Sequence, residues 1–117
     1  MTNIQKKNMD TPDEVRSFAK GKMQIANLGE TTIGRFVLEP GWKWSESVKP
    51  IAKTDSCQQM HTGYMISGRM RVRMDNGTET EAGPGDAVVI PPGHDAWVVG
   101  NERCVGIDFT GAKMYSK

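Results

Sequence analysis

Apolar positions along most of the chain recur with a period of two. Met23-Gln-Ile-Ala-Asn-Leu28 alternates weakly up to Gly29, and Thr32–Leu38 forms a second segment closed by Glu39-Pro40-Gly41. Trp42 and Trp44 alternate with Lys43 and Ser45, which is strand spacing. The polar stretch from Lys49-Pro50 to Gln59 reads as a loop. His61–Ser67 reads as a strand turned by Gly68, and Arg69–Met74 alternates with Met70, Val72 and Met74 on one face. Asp75-Asn76-Gly77 is a hairpin signal, because Asn-Gly tolerates positive φ at both turn positions. It predicts pairing of Met70–Met74 with Thr78–Ala82. Gly83-Pro-Gly85-Asp86 turns into Ala87–Ile90, read as a buried strand stopped by Pro91-Pro92-Gly93. Ala96–Val99 and Cys104–Phe109 complete the set, with Gly100-Asn101 turning between them.

The exception lies near the start. Thr11 is placed to cap a helix, Pro12 suits its first position, and Glu14 stands where a capping box needs an acceptor. Val15 and Phe18 then share a face, so a short helix is expected over Pro12–Phe18; an irregular arm with a single turn is the competing reading. Short strands between regular turn signals define an all-β sandwich or barrel, and no helices alternate with strands to build a parallel sheet. The expected organisation is an N-terminal arm (1–22) carrying at most one short helix, one barrel domain (23–112), and a tail (113–117).

Composition narrows the function classes. With 117 residues the chain suits one domain, and 25% charged residues with a net charge of +1 offer no bulk field for nucleic acid or an anionic membrane. No apolar run is long enough to span a bilayer, and the polar start lacks the core of a secretory signal. A cytoplasmic location is expected, with Cys57 and Cys104 as free thiols.

Gly85-Asp-Ala-Val-Val-Ile-Pro-Pro-Gly93 resembles the second conserved motif of the cupin superfamily: a glycine, five residues, then Pro-x-Gly. Tyr64-Met-Ile-Ser-Gly68 looks like the end of the first cupin motif, and the Asn76-Gly77 hairpin separates the two as in cupins. The resemblance, to small single-domain proteins of the cupin-2 type, spans about residues 30–110. It implies a double-stranded β-helix, or jelly roll, open at one end to a cavity.

The resemblance also implies a metal centre of His-x-His and glutamate in motif one and a third histidine in motif two, and here the chain departs from it. The glutamate position is His61, and the second-motif histidine position is Ala96. With compact spacing, Asp55 and Cys57 replace His-x-His; counted from Gly41, Ser47 and Lys49 do so, with 50–60 as an extended loop. Only two histidines exist, His61 and His94, one in each motif. Cys57, His61 and His94, with Asp55 as a further candidate, form a donor set acceptable to one divalent transition metal such as Zn, Fe, Ni or Mn. A metal-free cavity is the alternative.

Trp44, His61, Met65, His94 and Trp97 are the candidate ligand-binding residues: Met65 shares the face of His61, while Trp97 lies on the strand beyond His94. Trp42, Trp44 and Trp97 read either as packing or as an aromatic wall, and Asp108 either looks into the cavity or does not. Arg69, Arg71 and Arg73 read as a solvated strand face. Three functions compete: a barrel binding a small molecule, a metal-dependent enzyme (dioxygenase, isomerase or cyclase) acting on a small polar or aromatic substrate, and a structural partner. A homodimer is expected because small barrels leave edge strands to cover.

Overall fold

The computed structural model describes residues 3–110. The expected tail, 113–117, lies outside the described residues. Nine strands run as β1 (Glu14–Phe18), β2 (Gly21–Leu28), β3 (Thr31–Leu38), β4 (His61–Ser67), β5 (Arg69–Met74), β6 (Glu79–Ala82), β7 (Ala87–Ile90), β8 (His94–Val99) and β9 (Cys104–Asp108). Two single-turn helices, α1 (Trp44–Ser47) and α2 (Lys49–Ala52), separate β3 from β4. The strands form a six-stranded sheet, β1-β2-β3-β9-β4-β7, facing a three-stranded sheet, β6-β5-β8, with every pairing antiparallel. This is the all-β architecture that the alternation predicts and the jelly roll that the cupin resemblance implies.

The N-terminal helix is not formed. Its residues are β1, which pairs with β2 from Glu14↔Ile25 to Phe18↔Gly21. The capping signals around Thr11 are local, and pairing to an available sheet edge outweighs them. The preceding arm lies across the same strands: the Arg35 guanidinium donates to the Met9 carbonyl, to Asp10 and, through Nε, to Gln24.

Helices arise instead where strand and loop were expected. Trp42 keeps its extended position, its carbonyl accepting from Val98 N–H, but Trp44 begins α1. The Ser45 amide in the first turn donates to Asp95 Oδ1, a cap supplied from a distant strand. Pro50 in the first turn of α2 costs no hydrogen bond there. The turn of α1 buries Trp44, and Trp42 is buried beside it, so both join the core with Met23, Ile25, Leu38, Val48, Met65, Met70, Val72, Ile90 and Val98.

The β5–β6 hairpin forms in the expected register, from Met70↔Ala82 to Arg73↔Glu79. Its turn differs in detail. Gly77 N–H donates to the Met74 carbonyl, and only Gly77 takes positive φ (91°), whereas Asn76 does not. The Asn76 side chain accepts from the Thr78 amide instead. Strand β7 is not buried on both faces. Among the described residues it is an edge strand bonded to β4 alone, with Val89 two-thirds exposed and Ile90 turned to the core. Gly68, at φ 74°, brings the end of β4 against Arg103 and Cys104 so closely that no Cβ fits.

Candidate functional site

The site is assembled by two strands, the start of a third and a loop. Strand β4 presents His61 inward, with Gly63 and Met65 following on the same face. Strand β9 presents Cys104, Gly106 and Asp108 inward, and its register sets Asp108 opposite Gly63. His61 Nδ1 donates to Asp108 Oδ2 at 2.6 Å. His94 opens β8, and Pro-x-Gly geometry sends it into the barrel at 3% exposure rather than out from the turn. Ala96, at the family's usual histidine position, lies one pleat further along the same face.

The loop 53–60 is fastened to this strand. Cys57 N–H donates to the His94 carbonyl at 2.7 Å, and Gly93 N–H donates to the Cys57 carbonyl at 2.7 Å. Ser56 Oγ donates to Asp75 Oδ2, tying the loop to the β5–β6 turn as well. The thiol of Cys57 therefore stands 3.6 Å from His61 Nε2, and the rings of His61 and His94 meet edge to face with centroids 5.3 Å apart. One donor atom each from Cys57, His61 and His94 lies within 4.8 Å of the others.

Both imidazoles are held in a defined orientation. A carbonyl only accepts, so His94 Nδ1 must donate to Pro91 O, at 2.7 Å. Asp108 does the same for His61. In each neutral ring the lone pair then belongs to Nε2, the arrangement that supports metal-ligating histidines.

Electrostatics favour an ionised cluster. Burial opposes charge on Cys57, but the hydrogen bonds with His61 and His94 and the electrostatic influence of His94 outweigh it, lowering the thiol to about 6. Burial likewise opposes charge on His61, and is outweighed by the bonds to Asp108 and Cys57, which raise the imidazole to about 9. The cluster can thus act as a thiolate–imidazolium pair, or release its protons and hold a borderline-soft cation.

Beside the cluster is a cavity of about 50 Å³, lined by Met23, Phe36, Leu38, Trp42, Trp44, His61, Gly63, Met70, Val88, Ile90, His94, Ala96, Ile107 and Asp108. Its lining side chains are apolar except for His61, His94, Asp108 and the two indoles of Trp42 and Trp44. Of the candidate ligand-binding residues, Trp44, His61 and His94 line it. Met65 is fully buried in the core and is not among the lining residues. Trp97 lies on the opposite face of β8, with the cations of Lys43 and Arg73 over its ring, because Ala96 and Val98 take the inward positions. Asp55 is fully exposed and pairs with Lys49 at 3.9 Å, away from the cluster. Of the strand arginines, Arg69 and Arg71 pair with Glu79 and Glu81 on β6.

The contribution of Asp108 was only half visible in the sequence: alternation with Cys104 and Gly106 gives its face, but not its partner. Phe36, Leu38 and Met23 carry no signal separating a cavity wall from ordinary core.

A double-stranded β-helix with histidines from both of its motifs gathered inside the barrel defines a cupin. More narrowly, the chain belongs to the EutQ-like cupin family, whose model matches residues 41–105. No curated protein matches it significantly. Among solved structures it is similar to a Rhizobium leguminosarum protein of unknown function (22% identity, TM-score 0.67, covering 93% of this chain and 97% of that one). It is also similar to the polyketide cyclase RemF of Streptomyces resistomycificus (16%, TM-score 0.64, 94% and 80%). An RmlC-like cupin of Shewanella frigidimarina is a third (20%, TM-score 0.59, 86% and 86%). At these identities the likeness is one of fold.

Proposed function

We propose that this cupin binds a small molecule in its barrel beside an atypical metal site formed by Cys57, His61 and His94. The observation that carries the reading is the pair of Nδ1 anchors, Asp108 for His61 and the Pro91 carbonyl for His94, which leave both Nε2 lone pairs for a ligand shared with the Cys57 sulfur.

The donor set fits such an ion. Tetrahedral bonds of ordinary zinc–sulfur and zinc–nitrogen length place sulfur and nitrogen about 3.6 Å apart. Cys57 Sγ and His61 Nε2 stand at 3.6 Å. A thiolate with two imidazoles suits Zn(II), Fe(II) or Ni(II) better than Mn(II), which prefers oxygen. Three protein ligands leave a coordination position for a small molecule, and a bound divalent ion would supply Lewis-acid polarisation there.

The remaining work is done by the chain. Asp108 fixes the His61 tautomer and balances its charge. The Cys57–His94 backbone bonds hold the sulfur in place. Trp42, Trp44 and Phe36 give the cavity an apolar wall, and a less polar surrounding strengthens the polar interactions made there. A metal-dependent enzyme remains the alternative within the same site.

Metal analysis of protein stripped of metal and reloaded with Zn(II) or Fe(II) tests the reading. Near-stoichiometric loading is expected for the wild type, and clear loss for Cys57→Ala, His61→Ala and His94→Ala with the fold retained by circular dichroism. Wild-type protein that takes up no ion, or variants that load equally well, would overturn it.

A further inference from the structure

A slot of about 300 Å³ lies between β6 and β7. Among the described residues β6 is bonded to β5 alone and β7 to β4 alone, so a free edge of each sheet borders it. That volume reaches the size of a small-molecule site. Register places the slot beside the histidine cluster. On one wall Ile90 is the partner of His61, and Val88 is the partner of Gly63. On the other wall Met74 is the partner of His94. Val88 and Ile90 also line the inner cavity, so the two spaces are neighbours across these side chains. The buried side chains of Val72 and Ala82 add to the apolar lining. No ionisable side chain lines the slot, and the hydroxyls of Thr78 and Thr80 are its polar side-chain groups.

From this arrangement we infer that the molecule bound beside Cys57, His61 and His94 carries an unbranched aliphatic chain, and that the chain lies in the slot between β6 and β7. The chain runs past Val88 and Ile90 and delivers its polar head to His61, one strand and about 5 Å away. The head meets the ionised cluster, so its charge is decided there. The slot lining decides the rest of the molecule. A charged or amide-bearing chain would set its polar groups against Val72, Ala82, Val88 and Ile90, whereas an alkyl chain has no polar group to satisfy. Strand β7 has 4 residues and spans about 13 Å, which sets the extended length of the chain. The inference rests on the proposed small-molecule role and adds the class of molecule.

Full-length Zn(II)-loaded protein is titrated with acetohydroxamate, butyrohydroxamate, hexanohydroxamate and octanohydroxamate, which share one zinc-binding head and differ in chain length. Affinity should rise roughly two- to fourfold with each methylene the slot takes up. Thr80 is exposed and shares the slot-facing side of β6 with Ala82, so Thr80→Trp fills the slot from its rim. In that variant acetohydroxamate should bind as it does to the wild type, and octanohydroxamate no better than acetohydroxamate. Equal affinity along the wild-type series, or a chain-length gain that Thr80→Trp retains, would overturn the inference. Metal-free protein gives a second reading, which also decides if Thr80→Trp does not fold. Octanol should move the methyl resonances of Val72 and Ile90 and saturate, Ile90→Val assigning the latter. Resonances that stay in place would overturn the inference, as would shifts that follow protein concentration instead of octanol, which would assign the slot to a second copy of the chain. Failure of the metal reading would appear in the zinc content and leave the octanol titration readable.

Discussion

His61 and Asp108 meet on adjacent strands of one sheet, His61 Nδ1 donating to Asp108 Oδ2 at 2.6 Å with both side chains nearly closed to solvent. The carboxylate sets which imidazole nitrogen faces Cys57. Asp108→Asn keeps the shape and removes the charge, so it should lower Zn(II) affinity about ten- to a hundredfold, the usual effect of losing such a partner. Competition with a chelator measures it; unchanged affinity would mean that Asp108 does not orient the ligand.

Cys57 and His61 exchange their ordinary acidities. The thiol goes from 9.0 to about 6 and the imidazole from 6.5 to about 9 on folding. The raised imidazole contributes stability that is complete below 6.5 and lost as pH rises through about 9. The depressed thiol contributes stability that is complete above 9.0 and lost as pH falls through about 6. Between 6.5 and about 9 the two slopes cancel, because the pair carries one proton in either state, on sulfur when unfolded and on the ring when folded. Metal-free protein should therefore show thiolate ultraviolet absorbance from one cysteine rising through about pH 6. Its denaturation midpoint should receive no pH slope from this pair. Cys104 stays protonated, held up to about 11 by burial and by the Glu102 charge. Cys57→Ser should abolish the absorbance, and a signal appearing only near the ordinary thiol range would contradict the pairing.

Gly63 and Gly77 should respond differently to alanine. A Cβ on Gly77 meets nothing, so only its φ of 91° is penalised, and about 1 kcal/mol of stability should be lost. Valine there should cost more, on the order of 1–3 kcal/mol, since a β-branched residue resists positive φ. A Cβ on Gly63 would collide with the Ile107 carbonyl oxygen of the paired strand, and a loss of roughly 3 kcal/mol or more is expected. Urea denaturation orders the variants; Gly63→Ala as mild as Gly77→Ala would contradict the β4–β9 approach.

Dimerisation is proposed through the outer face of β4 and β7. Tyr64 and Val89 stand exposed there on neighbouring strands, and the free edge of β7 adjoins them. Light scattering at micromolar concentration should give twice the chain mass, and Val89→Lys should shift it toward the monomer. A wild-type monomer would refute this.

Local rules read most of the barrel. Alternation and turn residues gave the strands from β2 onward, because side-chain period and Gly/Pro chemistry are properties of a few adjacent residues. They also gave the hairpin at Gly77 and the inward face of His61. Where the rules failed, a distant partner had intervened. β1 is a strand because β2 offers it an edge, α1 is capped by Asp95 from β8, and β7 is exposed because none of the described residues pairs with its outer side.

The site divides in the same way. Residue types and motif positions in the sequence singled out Cys57, His61 and His94 as metal-ligand chemistry. That Asp55 faces solvent, that Trp97 lies outside the barrel wall, and that Asp108 and the Pro91 carbonyl fix the two imidazoles was decided only in the folded chain. Register across β4 and β9 brings His61 to Asp108 over a separation of 47 residues, and the Cys57–His94 bridge fastens a loop to a strand. Such meetings depend on how strands pair, and one residue of slip would turn each side chain to the opposite face.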